Sequence, residues 1–198
     1  MAERYVITLG RECGAGATYI AQHLSKELGI PYYDKDIFRM VSDKSGVLEE
    51  FFHVNSERPG NNLLYKLVKD LKPADQKPSL GKDIVSPDNL FRFQSELIRE
   101  LADNESCIII GRCADYVLKD HDNCVHVFVC GDMDSKVQRM MHSYSLEESA
   151  AVERIKETDK QRKKYYSYYT GGDWEAASNY DLCLNTGNMS IEEAAEQI

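Results

Sequence analysis

Short apolar runs alternate along this chain with segments whose apolar residues recur at helical spacing. Most of the runs are apolar throughout, which is typical of strands buried on both faces of a sheet. The predicted strands comprise residues 5–9, 30–34, 107–110, 125–129 and 180–184. Because strands and helices alternate, the pattern predicts an α/β fold in which a parallel five-stranded sheet carries helices on both faces.

The predicted helices are bounded by recognisable capping residues. Ser86 followed by Pro87 is typical of a helix start, and Ser190 with Glu193 three residues later is a capping box. The remaining pattern is helical spacing of apolar residues. The predicted helices comprise residues 18–28, 36–41, 87–103, 114–119, 132–142, 146–168 and a last segment after Ser190.

One stretch, about 43–87, lacks this regularity. It contains most of the prolines, and a helical pattern is limited to residues 61–71. We interpret it as a helical insertion with a mobile loop around residues 72–86. The prediction is therefore a single domain over residues 1–198, with this insertion inside it.

A glycine-rich loop joins the first strand to the first helix, through Gly10, Gly14 and Gly16. A helix N-terminus leaves backbone N–H groups without helical partners, and these groups and the helix dipole favour a phosphate. Glycine has no side chain that would hold the phosphate away from the backbone. The alternative hypothesis is a glycine-rich turn without a ligand.

Two phosphate-binding templates compete for this loop, and neither decides alone. Aligned on Gly16, the template G-x-x-x-x-G-K-[ST] has Arg11 at its first glycine, Ala17 at its lysine and Thr18 at its metal-binding hydroxyl. The dinucleotide template G-x-G-x-x-G fits the last two glycines of the loop but has Tyr19 at its third glycine. Asp34 follows at a distance suited to a ribose contact.

Composition restricts the partners and the compartment. The 198 residues carry a net charge of −9, with a pI near 5.1, which argues against nucleic acid or an anionic membrane as a partner. The six cysteines form no C-x-x-C pair. We interpret those in or beside apolar runs, Cys107, Cys130 and Cys183, as small buried hydrophobic residues in a reducing cytoplasm. Their spacing does not suggest zinc.

Chemistry-bearing residues follow several of the predicted strands. In a parallel sheet, ligands bind beyond the carboxyl ends of the strands. The glycine-rich loop, residues 34–36, residues 111–112, residues 131–132 and residues 185–186 occupy such positions. A basic segment, residues 154–164, adds arginines whose planar fork suits phosphate oxygens, whereas most of its lysines are typical of a solvated helix face.

Five segments, in this order, resemble the cytidylate-kinase-like family. They read Gly-Arg-Glu-Cys-Gly-Ala-Gly-Ala at 10–17, Ile-Pro-Tyr-Tyr-Asp-Lys at 30–35, Ile-Ile-Gly-Arg-Cys-Ala-Asp-Tyr-Val-Leu at 109–118, Asp-Lys-Gln-Arg-Lys-Lys-Tyr-Tyr at 159–166 and Tyr-Asp-Leu-Cys-Leu-Asn-Thr at 180–186. The resemblance covers nearly the whole chain and is weakest between residues 43 and 87. It implies a nucleoside monophosphate kinase fold with a P-loop core, a monophosphate-binding insertion and a lid at about 144–172.

The same resemblance implies ATP, Mg²⁺ and a nucleoside monophosphate such as CMP or dCMP as ligands. It implies that Thr18 reaches Mg²⁺, that Arg139 lies near the adenine, and that Asp159 and Arg162 form the D-x-x-R of the lid. Catalytic roles fall to Arg112, Arg162 and Asp159. The implied ATP-binding residues are Gly10, Arg11, Gly14, Ala15, Gly16, Ala17, Thr18 and Arg139. The implied acceptor-binding residues are Asp34, Lys35 and Arg112. For Arg112, an ion pair with a nearby acid such as Asp115 is the structural alternative.

Ala17 departs from true cytidylate kinases, which carry lysine there. Arg11, Arg112, Arg154 or Arg162 could replace that charge from another direction, as an arginine finger does. A nucleotide-binding module without catalysis is the second hypothesis, since it needs no replacement.

A short-chain dehydrogenase is the third hypothesis, suggested by the loop spacing and by Tyr65-x-x-x-Lys69. It is disfavoured because only two predicted strands precede that pair. The sequence does not fix the acceptor or the oligomeric state.

Overall fold

The computed structural model describes residues 4–49, 52 and 86–198. The helical pattern at 61–71, the loop at 72–86 (apart from Ser86) and the pair Tyr65 and Lys69 lie outside the described residues. Among the described residues, no helix combines the length and the apolar character that crossing a bilayer requires.

Five parallel strands form one sheet, as the sequence predicts. They are β1 (Val6–Arg11), β2 (Tyr32–Tyr33), β3 (Cys107–Ile110), β4 (Cys124–Cys130) and β5 (Leu182–Asn185). Their order across the sheet is β2-β3-β1-β4-β5. The connection from β1 to β2 therefore runs toward one edge strand of the sheet. The connection from β3 to β4 runs back past β1 toward the other edge strand. The connections diverge at the carboxyl end of β1, which opens a crevice beside the glycine-rich loop.

Helices cover both faces of the sheet, because successive residues of each strand point to opposite sides. On one face, Cys107 and Ile109 pack against α2 (Asp36–Ser45), α3 (Pro87–Asn104) and α4 (Ala114–Val117). On the other, Ile108 and Ile110 pack against α1 (Ala17–Leu28) and α7 (Ile191–Glu196). Two further helices, α5 (Met133–Tyr144) and α6 (Glu148–Thr170), pack together beside the loop. The α/β prediction is confirmed.

Several helix ends differ from the prediction. Helix α2 continues four residues beyond the predicted end at residue 41, to a left-handed Gly46 whose N–H donates to the Ser42 carbonyl. Helix α6 likewise continues to a left-handed Gly171. The predicted caps are confirmed, since Ser86 accepts from the Asn89 N–H and the Ser190 capping box forms. Apolar spacing thus marks where a helix packs, and a left-handed glycine marks where it stops.

The cysteine prediction is correct for Cys107 and wrong for Cys183. Cys107 is fully buried in β3, whereas Cys130 is half-buried and Cys183 is exposed on the edge strand β5. An edge strand is covered on one face only here, and residue 183 points away from the residues that pack inward. All six cysteines are free thiols.

Candidate functional site

The glycine-rich loop turns the chain sharply between β1 and α1. Gly14 and Gly16 have left-handed φ angles of 80° and 90°, and Gly16 is the N-cap of α1. A Cβ at Gly16 would also lie 2.7 Å from Ile191 Cδ1. Valine at position 16 would therefore strain the turn as well as crowd a ligand. Our simpler expectation, that only phosphate approach requires glycine here, is incomplete.

The start of α1 has the form of an anion site. Gly16 has no side chain that could accept from the first N–H groups of the helix, which have no helical partners of their own. Ala15 and Ala17 are buried, and Thr18 is exposed in the first turn. The lysine position of the template is thus a buried methyl group.

A carboxylate from α6 already contacts this loop. The Cys13 N–H donates to Asp159 Oδ1 over 2.6 Å. Arg162 Nη1 lies 3.8 Å from the same oxygen and donates to the Arg11 carbonyl over 3.2 Å. Burial raises the pKa of Asp159 to about 6, although the Cys13 N–H and the charge of Arg162 act in the opposite direction. The structure therefore brings Asp159 and Arg162 to the loop as a pair.

The raised pKa makes stability depend on pH. Between about pH 4 and 6 the native chain binds a proton at Asp159 more readily than the unfolded chain does, so the free energy of unfolding falls as pH rises through this window. Asp159→Asn lacks this titration. We expect the stability of the wild type relative to Asp159→Asn to fall over this window and to level off above it. Urea unfolding at several pH values measures this, with the exposed Asp43→Asn as control. A difference that stays constant with pH would contradict it.

Sequence reasoning missed two residues at the loop, Glu12 and Lys136. Glu12 Oε2 accepts from Lys136 Nζ at 2.9 Å and from the Gly131 N–H at 3.1 Å. Lys136 is 6% exposed, and its Nζ is also 3.9 Å from Asp159 Oδ2. The pairing joins residues more than a hundred positions apart, and Lys136 lies outside every motif that the sequence offers. Burial of a lysine beside the loop is visible only in three dimensions.

Arg139, three residues after Lys136 on α5, also lies against the loop. Its guanidinium donates to the Gly14 carbonyl at 3.3 Å and to the Thr186 carbonyl at 2.5 Å. Buried Thr186 in turn donates to the Ala15 carbonyl at 2.8 Å. Arg139 thus connects the loop after β1 to the loop after β5. The contacts place it beside Gly16, at the start of α1.

A second cluster lies at the carboxyl ends of β1, β2 and β3. Arg11 Nη2 and Arg112 Nη2 lie 3.9 and 4.0 Å from Asp34 Oδ1, and the Arg112 guanidinium stacks 4.0 Å from the centre of the Phe38 ring. The structural alternative for Arg112, an ion pair with a nearby acid, is therefore present with Asp34, while Asp115 Oδ2 accepts from the Tyr166 hydroxyl at 2.7 Å. Two guanidinium groups therefore converge on one carboxylate beside the glycine-rich loop.

The turn that carries Arg112 is unusual. Gly111, Arg112 and Cys113 have φ angles of 68°, 61° and 53°, so three successive residues are left-handed. A Cβ at residue 111 would overlap the Arg11 guanidinium, which lies directly over the glycine. The glycine at this position is needed for that approach, and it sets the two arginines side by side.

Two other predicted cations have different surroundings. Lys35 is exposed at the start of α2. The Arg154 guanidinium stacks over the Tyr144 ring at 4.5 Å. Of the arginines considered as replacements for the lysine at position 17, Arg162 donates to a backbone carbonyl of the loop, that of Arg11.

A family model described as the cytidylate kinase-like family matches residues 6–188. The cytidylate kinase of Methanopyrus kandleri is 26% identical over 198 residues, covering 95% of this chain and 88% of that protein. That of Thermococcus kodakarensis is 26% identical and covers 92% of this chain and 80% of that protein. These matches extend over nearly the whole chain, as the resemblance of the five segments does.

Solved structures show the same fold. An uncharacterized protein from Eubacterium ventriosum superposes with a TM-score of 0.70 at 26% identity, over 98% of this chain and 95% of that one. Shikimate kinase from Bacteroides thetaiotaomicron superposes with a TM-score of 0.54 at 13% identity, over 98% and 95%. The strand order also differs from the order 3-2-1-4-5 of dinucleotide-binding folds, which removes the dehydrogenase hypothesis.

Proposed function

Because this chain belongs to the cytidylate kinase-like family, we propose that it transfers the γ-phosphoryl group of ATP to a nucleoside monophosphate, CMP or dCMP in the first instance. One observation carries the proposal. The glycine-rich loop lies beside the cluster of Arg11, Asp34 and Arg112 at the carboxyl ends of the strands. Arg11 belongs to both. An anion site for the donor thus adjoins paired guanidinium groups suited to a second phosphate.

The donor occupies the loop in this proposal. The backbone of the loop surrounds the ATP phosphates at the N-terminus of α1. Arg139, held between the loops after β1 and β5, lies at the mouth of this site, where the adenine would stack. The ATP-binding residues are those of the sequence prediction, Gly10, Arg11, Gly14, Ala15, Gly16, Ala17, Thr18 and Arg139.

The acceptor occupies the neighbouring cluster. Arg112 and Arg11 bind its phosphate, while Asp34 and the Phe38 ring hold the Arg112 guanidinium in place. Lys35, at the rim, and residues 43–87 complete the acceptor side. Helix α6 and its flanks, residues 144–172, act as the lid, which contacts the loop through Asp159 and Arg162.

The protein itself takes little part in the covalent chemistry of this reaction. An oxygen of the acceptor phosphate bonds to the γ-phosphorus while the bond to the β–γ bridging oxygen breaks, and the electron pair of that bond stays with ADP. The protein must align the two phosphates and neutralise the charge that spreads over the transferred group. Arg162 reaches the loop backbone from the lid, so it can act on that group when the lid is closed.

Mg²⁺ fits the donor set of this site. Magnesium in phosphoryl-transfer sites takes one or two protein ligands and completes its shell with phosphate oxygens and water. The Thr18 hydroxyl, exposed in the first turn of α1, would be one such ligand. When bound, the ion supplies positive charge to the β- and γ-phosphate oxygens.

An assay of ATP against a panel of nucleoside monophosphates tests the proposal. Formation of ADP together with the nucleoside diphosphate supports it, and the preferred acceptor identifies the substrate. A buried methyl group at Ala17 favours one other function, a nucleotide-binding module. ATP binding in calorimetry without product from any acceptor would support that module and would exclude the kinase.

A further inference from the structure

The loop lacks the lysine that normally contacts the β- and γ-phosphates, yet an ammonium group lies next to it. We infer that Lys136, on α5, supplies from a different helix the fixed positive charge that position 17 lacks. The inference rests on the proposed phosphoryl transfer and names a further residue for it. Lys136 would be a catalytic residue, since its Nζ would touch the phosphate.

Lys136 is held in an unusual environment for a lysine. It is 6% exposed, and a buried ammonium is costly unless hydrogen bonds and opposite charge compensate it. Glu12, a residue of the loop itself, provides the closest contact at 2.9 Å. A Cβ at Gly14 would lie 2.9 Å from the Lys136 carbonyl oxygen, so the backbones of α5 and the loop are in contact. The ammonium therefore has a fixed place relative to the loop.

The Asp159 carboxylate shows where an anion binds beside this lysine. Its Oδ1 accepts from the Cys13 N–H at 2.6 Å and lies 3.8 Å from Arg162 Nη1, while its Oδ2 is 3.9 Å from Lys136 Nζ. A loop N–H, a guanidinium and an ammonium thus surround one anionic group. These are the donors that a phosphate takes in kinases, and here an internal carboxylate stands in for it.

Binding of ATP would exchange one anion for another. A phosphate that takes the place of the Asp159 carboxylate at the Cys13 N–H would lie close to Lys136 Nζ, because that carboxylate is 3.9 Å from it. An ammonium has three donors, so Lys136 can keep its bond to Glu12 while it donates to the phosphate. During transfer it would neutralise charge on the leaving β–γ bridging oxygen and on the γ-phosphate.

Donor-site binding tests this inference without any turnover. Affinities of ATP and AMP are measured by displacement of a ribose-labelled fluorescent ATP, so that only the donor site reports. Lys136→Met should weaken ATP binding by about ten- to a hundredfold and leave AMP binding within about twofold, because AMP lacks the two outer phosphates. Lys26→Met, which removes an exposed lysine from the last turn of α1, is the matched control and should change neither affinity.

A structural role for Lys136 gives a different result. If the lysine only holds Glu12 in place, Glu12→Gln should weaken ATP binding as much as Lys136→Met does. If the lysine binds phosphate, Glu12→Gln should lose far less ATP affinity than Lys136→Met does. The double variant Glu12→Gln/Lys136→Met, which leaves no buried charge without its partner, should then show the full loss of ATP affinity with a melting temperature near that of the wild type. Its kcat should fall about a hundredfold.

The possible failures are distinguishable. Wild-type protein that binds ATP no more tightly than AMP would contradict the proposed function itself. Wild-type preference for ATP that persists in both the single and the double Lys136 variant would overturn only the role of Lys136. Equal losses in Glu12→Gln and Lys136→Met would also overturn it.

Discussion

Arg162→Ala is expected to lower kcat by about 10³- to 10⁵-fold, the range found when an arginine finger is removed. Arg162 contacts the loop carbonyl of Arg11 at 3.2 Å and lies 3.8 Å from Asp159, so it would lie beside the phosphates of a donor bound as we propose. Its contact with the transferred group would form mainly in the transition state. The affinity for ATP should therefore change little while kcat falls. Steady-state kinetics and calorimetry on the same preparation separate the two.

Two further variants specify the role of Arg162. Arg162→Lys should recover only part of the loss, because an ammonium cannot make the forked contact of a guanidinium. Ala17→Lys in the Arg162→Ala background should restore some activity if the two cations act on the same charge. Arg99→Ala, at the far end of α3, controls for the loss of a positive charge. If the wild type transfers no phosphoryl group and Ala17→Lys creates transfer, the natural protein is a binding module.

Arg112→Ala should lower kcat/KM for the acceptor by about 10³-fold, as two charge-assisted hydrogen bonds at about 2 kcal/mol each predict. The guanidinium is oriented by Asp34 at 4.0 Å and by the Phe38 ring, so its fork is set before an acceptor arrives. ATP affinity should change by much less. Titration of each nucleotide separately, with the melting temperature recorded, measures both.

Asp34→Asn is the matched variant for that experiment. It leaves Arg112 and removes the charge that holds it, so it should weaken acceptor binding less than Arg112→Ala does. Equal losses of acceptor and ATP binding in Arg112→Ala, or a large fall in melting temperature without a change in acceptor affinity, would show that the arginine is structural.

Much of the fold could be predicted from the sequence because buried strands and helix caps have local patterns. The run Cys107–Ile110 is apolar throughout, and it lies in the centre of the structure, between β1 and β2. Cys183 shows where such a pattern misleads. It lies between two leucines, but β5 is an edge strand and only one of its faces is covered.

The site could be predicted less completely, because ion pairs join residues that no spacing relates. The loop and Asp34 lie where the carboxyl ends of the strands place them, and Arg162 adjoins the loop backbone. The partner of Arg112 could not be predicted from the sequence, since Asp34 and Asp115 are both acids that the sequence allows. Only the packing shows that Asp115 accepts from Tyr166 and that Asp34 lies beside Arg112. Lys136 and Glu12 are 124 residues apart, and one lies in a helix whose pattern is otherwise ordinary.

The three left-handed residues at 111–113 also bear on how evolution could alter this site. A left-handed conformation costs a residue other than glycine about 1 kcal/mol or more, so Arg112 and Cys113 reduce the stability of the empty protein. Glycine at position 113 would remove part of this energetic cost. It would also make the turn more flexible, so that the orientation of Arg112 would be less fixed. A substitution at position 113 that raises the stability of the protein would therefore loosen the orientation of Arg112.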